Sequence, residues 1–307
     1  MTDFEQYRIG LTGYCYRMLG AATDAEDAVQ ETFLRGWRNL GQQHGNRKAW
    51  LYSIATNVCF DMLRGTQRRA IVMDIAEPSA AGTPLGVPLP ESTWIQPVPD
   101  SLVLDPAELV TRRESIRLAF VAAMQYLPPK QRAVLILREV LAWKADEVAG
   151  LLDTTVASVN SALQRARATL ATRPAATPLD HEHEELVARY MKAFTNYDLD
   201  TLVSLLHEDA TMTMPPFTWW MRGRDQLMLA LRGAGVESTC QISKFVLAPK
   251  ANGLPAYGQY LNGEPFALLV LEASAGKITG STTYLQAKSL FPVFGLSTDE
   301  FGRSDPS

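Results

Sequence analysis

The sequence is short of several things, and each shortage removes a class of answers. Its 307 residues include three cysteines, Cys15, Cys59 and Cys240, far apart and with no CxxC pair among them. No histidine cluster stands near them, so no zinc site or other metal site is expected. Of the four histidines, His181 and His183 belong to a polar helix start and are not read as ligands. No apolar run reaches the roughly 18 residues that a membrane helix needs. Met1 to Gly10 lack the basic-then-apolar order of a secretion signal. The expected location is therefore cytoplasmic, with no membrane partner. Nothing calls for a cofactor, and no internal repeat or low-complexity segment is present.

Positive charge is also scarce, with a net charge of −4. Its distribution matters more than its sum. Residues 1–70 carry nine basic and seven acidic side chains, and residues 106–174 carry ten and six. Between them residues 71–105 hold five acidic side chains and no basic one. Residues 175–307 hold fifteen acidic and ten basic. Two mildly basic blocks are thus separated by an acidic linker and followed by an acidic domain. So small an excess argues against tight DNA binding by the free chain. It suits a protein that reads DNA while a larger partner holds it there.

What is present is mostly helix in the first 174 residues. Thr23-Asp24-Ala25-Glu26 reads as a capping box. It opens a run in which Ala28, Val29, Phe33, Leu34 and Trp37 recur at helical spacing. After the polar loop 41–46, a second helix is predicted from about Arg47 to Arg69, with Trp50, Leu51, Ile54, Ala55, Val58, Met62 and Leu63 as its apolar members. Residues 74–100 contain Pro78, Pro84, Pro88, Pro90, Pro97 and Pro99 with Gly82 and Gly86, the composition of a linker. Trp94 and Ile95 inside it mark a docking spot between domains. Asp105 and Pro106 have the chemistry of a helix start, with Ile116, Phe120 and Met124 on one face of the helix that follows.

Beyond Pro128-Pro129, three short helices are predicted at about 130–140, 144–152 and 156–172. The last two are joined by Asp153-Thr154-Thr155, the spacing of a helix-turn-helix. On the last helix Val156, Val159, Leu163 and Ala166 are expected to face the core. Ser158, Asn160, Ser161, Gln164, Arg165 and Arg167 are expected to face outward. Asn and Gln can bond adenine edges, and Arg can bond guanine or phosphate. The bland alternative is an ordinary polar helix face. In the first block, aromatic and amide groups stand near the basic cluster Arg64, Arg68 and Arg69, a set that suits unstacked single-stranded bases. There the bland alternatives are core packing for Trp50 and a helix C-terminal preference for the arginines.

Beyond His181 the period changes. Helices at about 181–194 and from the N-cap Asp198 precede β-rich stretches at Ala210–Met214, Glu237–Leu247, Phe266–Ala273 and Ile278–Leu285. A small α+β domain with a curved antiparallel sheet is expected.

The two helical blocks resemble regions 2 and 4 of extracytoplasmic-function sigma factors. "DAEDAVQETFLRGW" resembles the segment that grips the polymerase β′ clamp coiled coil. "AWLYSIATNVCFDMLR" resembles the segment that reads and melts the −10 element. "LPPKQRAVLILREV…ADEVAGLLDTTVASVNSALQRAR" resembles the −35-binding domain.

By position, the resemblance implies polymerase contacts at Asp24, Asp27, Gln30, Glu31 and Phe33. It implies −10 contacts at Trp50, Asn57, Asp61, Arg64 and Arg68, with the loop Gly41–Arg47 cupping an extruded base. It implies −35 contacts at Ser158, Asn160, Ser161, Gln164, Arg165 and Arg167. Many relatives carry Arg where Asn160 stands and a larger side chain where Gln164 stands, so base preference does not transfer. The C-terminal part, from "HEELVARYMKAFTNYDLDTLVSLLHEDATMTMPP" through "WWMRGRDQL" to its tail, resembles the SnoaL-like cone folds. In the enzymes of that family a carboxylate or histidine acts in the cone. His207 and Asp209 are the nearest candidates, and a structural role is the preferred reading for both. A small apolar ligand is a candidate occupant, given Met212, Met214, Phe217, Trp219 and Trp220.

The expected architecture is multi-domain: two all-α domains, the second with the helix-turn-helix, then an α+β cone. The bounds are 1–72, a Pro-rich linker 73–105, 106–174 and 180–300. The expected function is promoter-specific transcription initiation with no catalysis by this chain. Its partners would be core RNA polymerase, through the β′ clamp coiled coil and the β flap, and promoter DNA. The C-terminal domain would regulate in cis. The alternative is a SnoaL-like enzyme or small-molecule sensor with a regulatory DNA-binding half. A plain helix-turn-helix repressor leaves the first 70 residues unexplained.

Overall fold

The computed structural model describes residues 4–42, 45–105, 113–171, 184–233 and 236–299. The chain divides into two compact units: residues 1–70 with 95–176, and residues 71–94 with 177–307.

In the first unit, α1 (Arg8–Leu19) ends where Gly20 adopts a left-handed φ of 81°, which its missing Cβ permits. α2 (Ala22–Arg38) follows at once, with Ala21 as N-cap and no side-chain cap. The expected capping box is corrected by this: the glycine turn brings the helix start forward, so Thr23 lies inside the first turn. α2 buries Ala25, Ala28, Val29, Thr32, Phe33 and Gly36, a single stripe at helical spacing. Gly36 has a packing reason to lack a side chain, since a Cβ there would meet the Phe4 ring at 3.0 Å and Leu51 at 3.4 Å.

α3 (Arg47–Leu63) is capped by Asn46, whose Oδ1 accepts from the Lys48 N–H at 2.9 Å. It stops six residues short of the predicted Arg69, because Gly65 turns left-handed at φ 72°. Its buried side meets α1 through Tyr14 and Tyr52, ring centroids 5.4 Å apart. The Thr56 hydroxyl donates to the Tyr52 carbonyl, so the Tyr14 hydroxyl is the donor in its 2.8 Å bond to Thr56.

The same unit continues with α4 (Asp100–Val103) and a 3-10 turn at Arg113–Ile116. The helix start expected at Asp105-Pro106 lies largely outside the described residues. Then come α5 (Leu118–Gln125), α6 (Pro129–Leu135), α7 (Ala145–Leu151) and α8 (Val156–Ala171). α6 runs into a π turn at Ile136–Val140. Pro129 begins α6, where its missing N–H costs nothing.

Arg132 on α6 is 4% exposed and donates to the carbonyls of Met18, Gln125 and Leu127 and to Gln125 Oε1. Burial pulls its pKa down to about 10, against a smaller opposite effect of the Cys59 thiol. Burial likewise pushes the Cys59 thiol and the Tyr14 phenol well above their ordinary values. This one side chain therefore ties α1 to the helices that carry α8.

The second unit is a six-stranded sheet with helices. Its helices are α9 (Glu184–Thr195), α10 (Leu199–Leu205), α11 (Arg224–Leu231), α12 (Val236–Gln241) and α13 (Ala287–Val293). Its strands are β1 (Leu206–Thr213), β2 (Trp220–Arg222), β3 (Ser243–Ala251), β4 (Leu254–Leu261), β5 (Glu264–Ser274) and β6 (Lys277–Tyr284), in the order β2-β1-β6-β5-β4-β3. Asp198 caps α10 as expected, accepting from the Thr201 N–H and hydroxyl, and these bonds lower its pKa.

Three sequence expectations are corrected here. The sheet is not wholly antiparallel, since β1 pairs with β6 in parallel. Glu237–Gln241 is helix, and the strand begins only at Ser243. The strands β2 and β4 lie outside the four expected β-rich stretches. Gly258 in β4 is a close-packing site, where a Cβ would lie 2.7 Å from Leu296 and 3.3 Å from Phe291.

The Pro-rich segment Ile71–Trp94 groups with this second unit. Apart from 3-10 turns at Val72–Asp74 and Glu91–Thr93 it has no regular structure, yet it is fastened along its length. Val72 and Trp94 pack on Trp220, with Ala76 and Leu89 beside them. The Trp220 indole donates to the Ala76 carbonyl at 2.8 Å, and the Leu89 N–H donates to the Pro216 carbonyl at 2.9 Å. Trp94 is buried there. Ile95, also buried, opens the return of the chain to the first unit, its N–H bonded to the Ala70 carbonyl at 3.1 Å.

Candidate nucleic-acid interface

α8 separates its two faces cleanly. Val159, Ala162, Leu163 and Ala166 are buried. Asn160, Ser161, Gln164, Arg165 and Arg167 are exposed. Ser158 is half-buried, its N–H bonded to Thr155 Oγ1 at 3.2 Å. Val156 does not face the core as expected. It is the first residue of the helix, ahead of the first packed position Val159, and is exposed. Between α7 and α8 the chain reverses at Asp153, with φ 48°. Arg167 Nε lies 2.5 Å from Glu139 Oε1 on the π turn, so its charge is already engaged. Arg165 is exposed and forms no ion pair among the described residues.

On α3, Trp50, Asn57, Asp61 and Arg64 are spaced seven, four and three residues apart and so form one stripe. Asn57, Asp61 and Arg64 are exposed; Trp50 is half-buried, its ring edge-on to Phe4 at 6.3 Å. Asp61 stands between two cations, Arg35 at 3.2 Å and Arg64 at 3.3 Å. Arg68, beyond the helix, lays its guanidinium 3.4 Å over the Tyr126 ring centroid. Two residues of the loop 41–47, Gln43 and His44, lie outside the described residues.

On α2, Asp27 and Gln30 are exposed, Glu31 pairs with Arg35 at 2.7 Å, and Asp24 pairs with Arg69 at 2.7 Å. The bond to Glu31 raises the Arg35 pKa. Phe33 is corrected as a contact residue. It is 2% exposed, packed against Phe4 at 5.6 Å and covered by Arg8 at 5.0 Å, because it shares the buried stripe of Val29 and Gly36. The exposed apolar groups on this helix are Leu34 and Trp37, each 42% exposed. With Asp27 and Gln30 they make a stripe at three-, four- and three-residue spacing. Strict helical counting on the sequence would have found it.

The second unit holds a half-open cavity of about 960 Å³. Met212, Met214 and Trp219 line it as expected, but Phe217 and Trp220 do not, Trp220 belonging to the Trp94 cluster. His207 and Asp209 are not among its lining residues either. Asp209 donates its N–H to His207 Nδ1 at 3.1 Å and pairs with Arg222 at 3.3 Å, both at the surface. Among the described residues no cluster of three or more potential metal ligands is found, and no helix is long and apolar enough to cross a membrane.

Family models described as "Sigma-70 region 2" and "Sigma-70, region 4" match residues 4–69 and 117–170, the stretches that carry α2, α3 and α8. Along nearly the whole chain, 306 residues are 42% identical to the ECF RNA polymerase sigma factor SigG of Mycobacterium tuberculosis, covering 95% of this chain and 82% of that protein. The chain belongs to the extracytoplasmic-function sigma factors.

As a sigma factor it directs promoter-specific transcription initiation. The M. tuberculosis sigma factor SigJ is 33% identical over 242 residues, covering 76% of this chain and 72% of SigJ. The crystal structure of SigJ superposes with a TM-score of 0.62 at 25% identity, covering 96% of this chain and 99% of that one. That likeness extends through the α+β unit, so the helical blocks and the sheet belong to one shared arrangement of sequence.

Proposed function

We propose that three exposed helix stripes divide the work of this sigma factor, and that its C-terminal unit regulates them in cis. The stripe of Asp27, Gln30, Leu34 and Trp37 on α2 docks on the β′ clamp coiled coil of core polymerase. Asn57, Asp61 and Arg64 on α3, with Trp50 and Arg68 at its two ends, meet the −10 strand. Asn160, Ser161, Gln164 and Arg165 on α8 enter the −35 major groove. Ser158 and Arg167 flank them, and this block also contacts the β flap. Residues 1–72 and 106–174 are the two working domains. Residues 180–300, together with strap residues 73–94, are the regulatory part. The site of action is the cytoplasm, where core polymerase is.

The observation that carries this reading is α8: Asn160, Ser161, Gln164 and Arg165 stand exposed across the middle of the helix, and the buried stripe of Val159, Ala162, Leu163 and Ala166 seats it on its neighbours. The test is run-off transcription with core polymerase on a native promoter, using Gln164→Ala and Arg165→Ala. Both weaken −35 recognition, each by about 1–3 kcal/mol if it meets a base edge. Unchanged transcription in both variants rejects the assignment.

Cis regulation is supported by the charge contrast between the acidic C-terminal part and the basic helical blocks. A fused domain reaches an effective concentration on the order of millimolar, so weak contacts suffice. The C-terminal unit is not a catalyst in this reading. No carboxylate, imidazole, ammonium or guanidinium group is among the lining residues of its cavity.

A further inference from the structure

We propose that the cavity of the second unit binds one uncharged, largely apolar molecule, and that the strap residues Ala81–Leu85 form a wall of that site, so that occupancy is read directly by the chain between the two DNA-reading blocks.

The ligand class follows from the lining. A cavity of about 960 Å³ bounded by Met212, Met214, Leu231, Phe266 and Leu269 favours an apolar body. The polar side chains offered are neutral: the hydroxyls of Thr83, Tyr190, Thr239, Ser281 and Thr283, the Cys240 thiol and the amide of Gln259. The Gln259 nitrogen donates to Ser243 Oγ at 2.9 Å, which fixes the amide orientation and leaves its oxygen as an acceptor. A charged ligand would give up much of its hydration there with no counter-ion among the lining residues, at a desolvation cost.

The coupling follows from the strap. Ala81, Gly82, Thr83, Pro84 and Leu85 lie among the lining residues, although they come about 130 positions before the first lining strand. The strap is held by single bonds and no β-ladder. The Ser79 N–H donates to the Trp220 carbonyl at 2.6 Å, and the Ala81 N–H donates to Gln226 Oε1 at 3.2 Å. Beyond them Leu85 is exposed and Val87 is 82% exposed.

Trp219 joins the two features. Its ring lines the cavity while its indole N–H donates to the Thr83 carbonyl at 2.9 Å. A molecule packed against that ring adds apolar contact to the stretch Gly82–Leu85, and local opening of the strap becomes rarer.

The test needs neither DNA nor polymerase, so it stands or falls separately from the promoter reading. Full-length protein is titrated with N-phenyl-1-naphthylamine, an uncharged apolar fluorophore, and with 8-anilinonaphthalene-1-sulfonate, the same framework bearing a sulfonate. The uncharged probe is expected to bind about tenfold more tightly or better. At saturation it slows hydrogen exchange in peptides covering residues 79–89. Thr283→Trp, which fills the cavity from the sheet side, lowers the affinity of the uncharged probe by about tenfold. Leu285→Trp replaces it if Thr283→Trp does not fold. Trp219→Phe keeps probe binding but removes the exchange response of the strap. Equal binding of the two probes overturns the proposal. So does probe binding that leaves residues 79–89 unprotected, or that survives the cavity-filling variant.

Discussion

On α8 the residues with recognition chemistry point outward and the packing residues inward; in the cone of the second unit that arrangement is inverted. The helix needs only its own period to sort Asn160, Gln164 and Arg165 from Val159, Leu163 and Ala166. The cavity needs curvature of a whole sheet, plus a strap from far upstream in the sequence. An exposed interface carried by one helix is therefore a local property of the chain. A cavity of this kind is a property of the tertiary fold, and no charged side chain is among its lining residues. The same contrast appears inside α2, where Phe33 serves the core and Trp37, four residues on, serves the surface.

Removing the inverted half altogether is the largest perturbation. A chain lacking residues 180–307 is expected to transcribe a native promoter at a rate different from the full-length protein at equal concentration. Trp94→Ala, which takes the buried anchor out of the Val72–Trp220 cluster, shifts the rate in the same direction. Identical rates for all three proteins in a run-off assay defeat cis regulation.

Next in size is the contrast on α2. Phe33→Ala is expected to cost about 3–5 kcal/mol of stability, as a large ring leaves a packed core. Trp37→Ala is expected to cost less stability than Phe33→Ala, because it gives up only a half-exposed stack on the Phe4 ring at 5.9 Å, and to weaken core polymerase binding by about 1–2 kcal/mol. Urea denaturation and a polymerase titration on the same two proteins decide it. Equal losses in both measurements for both variants would erase the distinction between the faces.

The sequence made the helical half legible for a physical reason. Its elements are held by near neighbours: Asn46 caps α3, and a short reversal at Asp153 sets α7 against α8. Misreadings there were of one kind, in which one strong local pattern hid another. Thr23 looked like a cap, but Gly20 had already turned the chain. Val156 is apolar, but it precedes the contact with the rest of the bundle. In the second unit the errors have a different origin. Strand β4 escaped the expectation, and Gly258 inside it lets Phe291 and Leu296, more than thirty residues later, approach the sheet. The segment with six prolines reads as a linker, yet it is fastened by two tryptophan indoles that lie about 140 residues downstream. Contacts of that range leave no periodic trace in the sequence.

The smallest expected effect tests how freely α8 meets DNA. Arg167 and Glu139 form an exposed ion pair at 2.5 Å, with side chains 62% and 37% exposed. A pair of that kind contributes about 0–1 kcal/mol to stability, so breaking it leaves the fold intact. Its consequence is electrostatic. While the carboxylate holds the guanidinium, Arg167 adds little to the charge that the helix presents to phosphate. Glu139→Gln keeps the shape and removes the negative charge, which frees Arg167. The affinity of the polymerase-bound sigma factor for promoter DNA should then rise modestly. The slope of log affinity against log salt should steepen by about one unit, the signature of one additional phosphate contact. Arg167→Gln should leave the slope close to the wild-type value, because the wild-type side chain is already engaged. Arg165→Gln, with no such partner, should flatten it by about one unit. If Arg167→Gln flattens the slope as much as Arg165→Gln does, Glu139 releases its partner on DNA binding, and the two arginines are equivalent readers of the backbone.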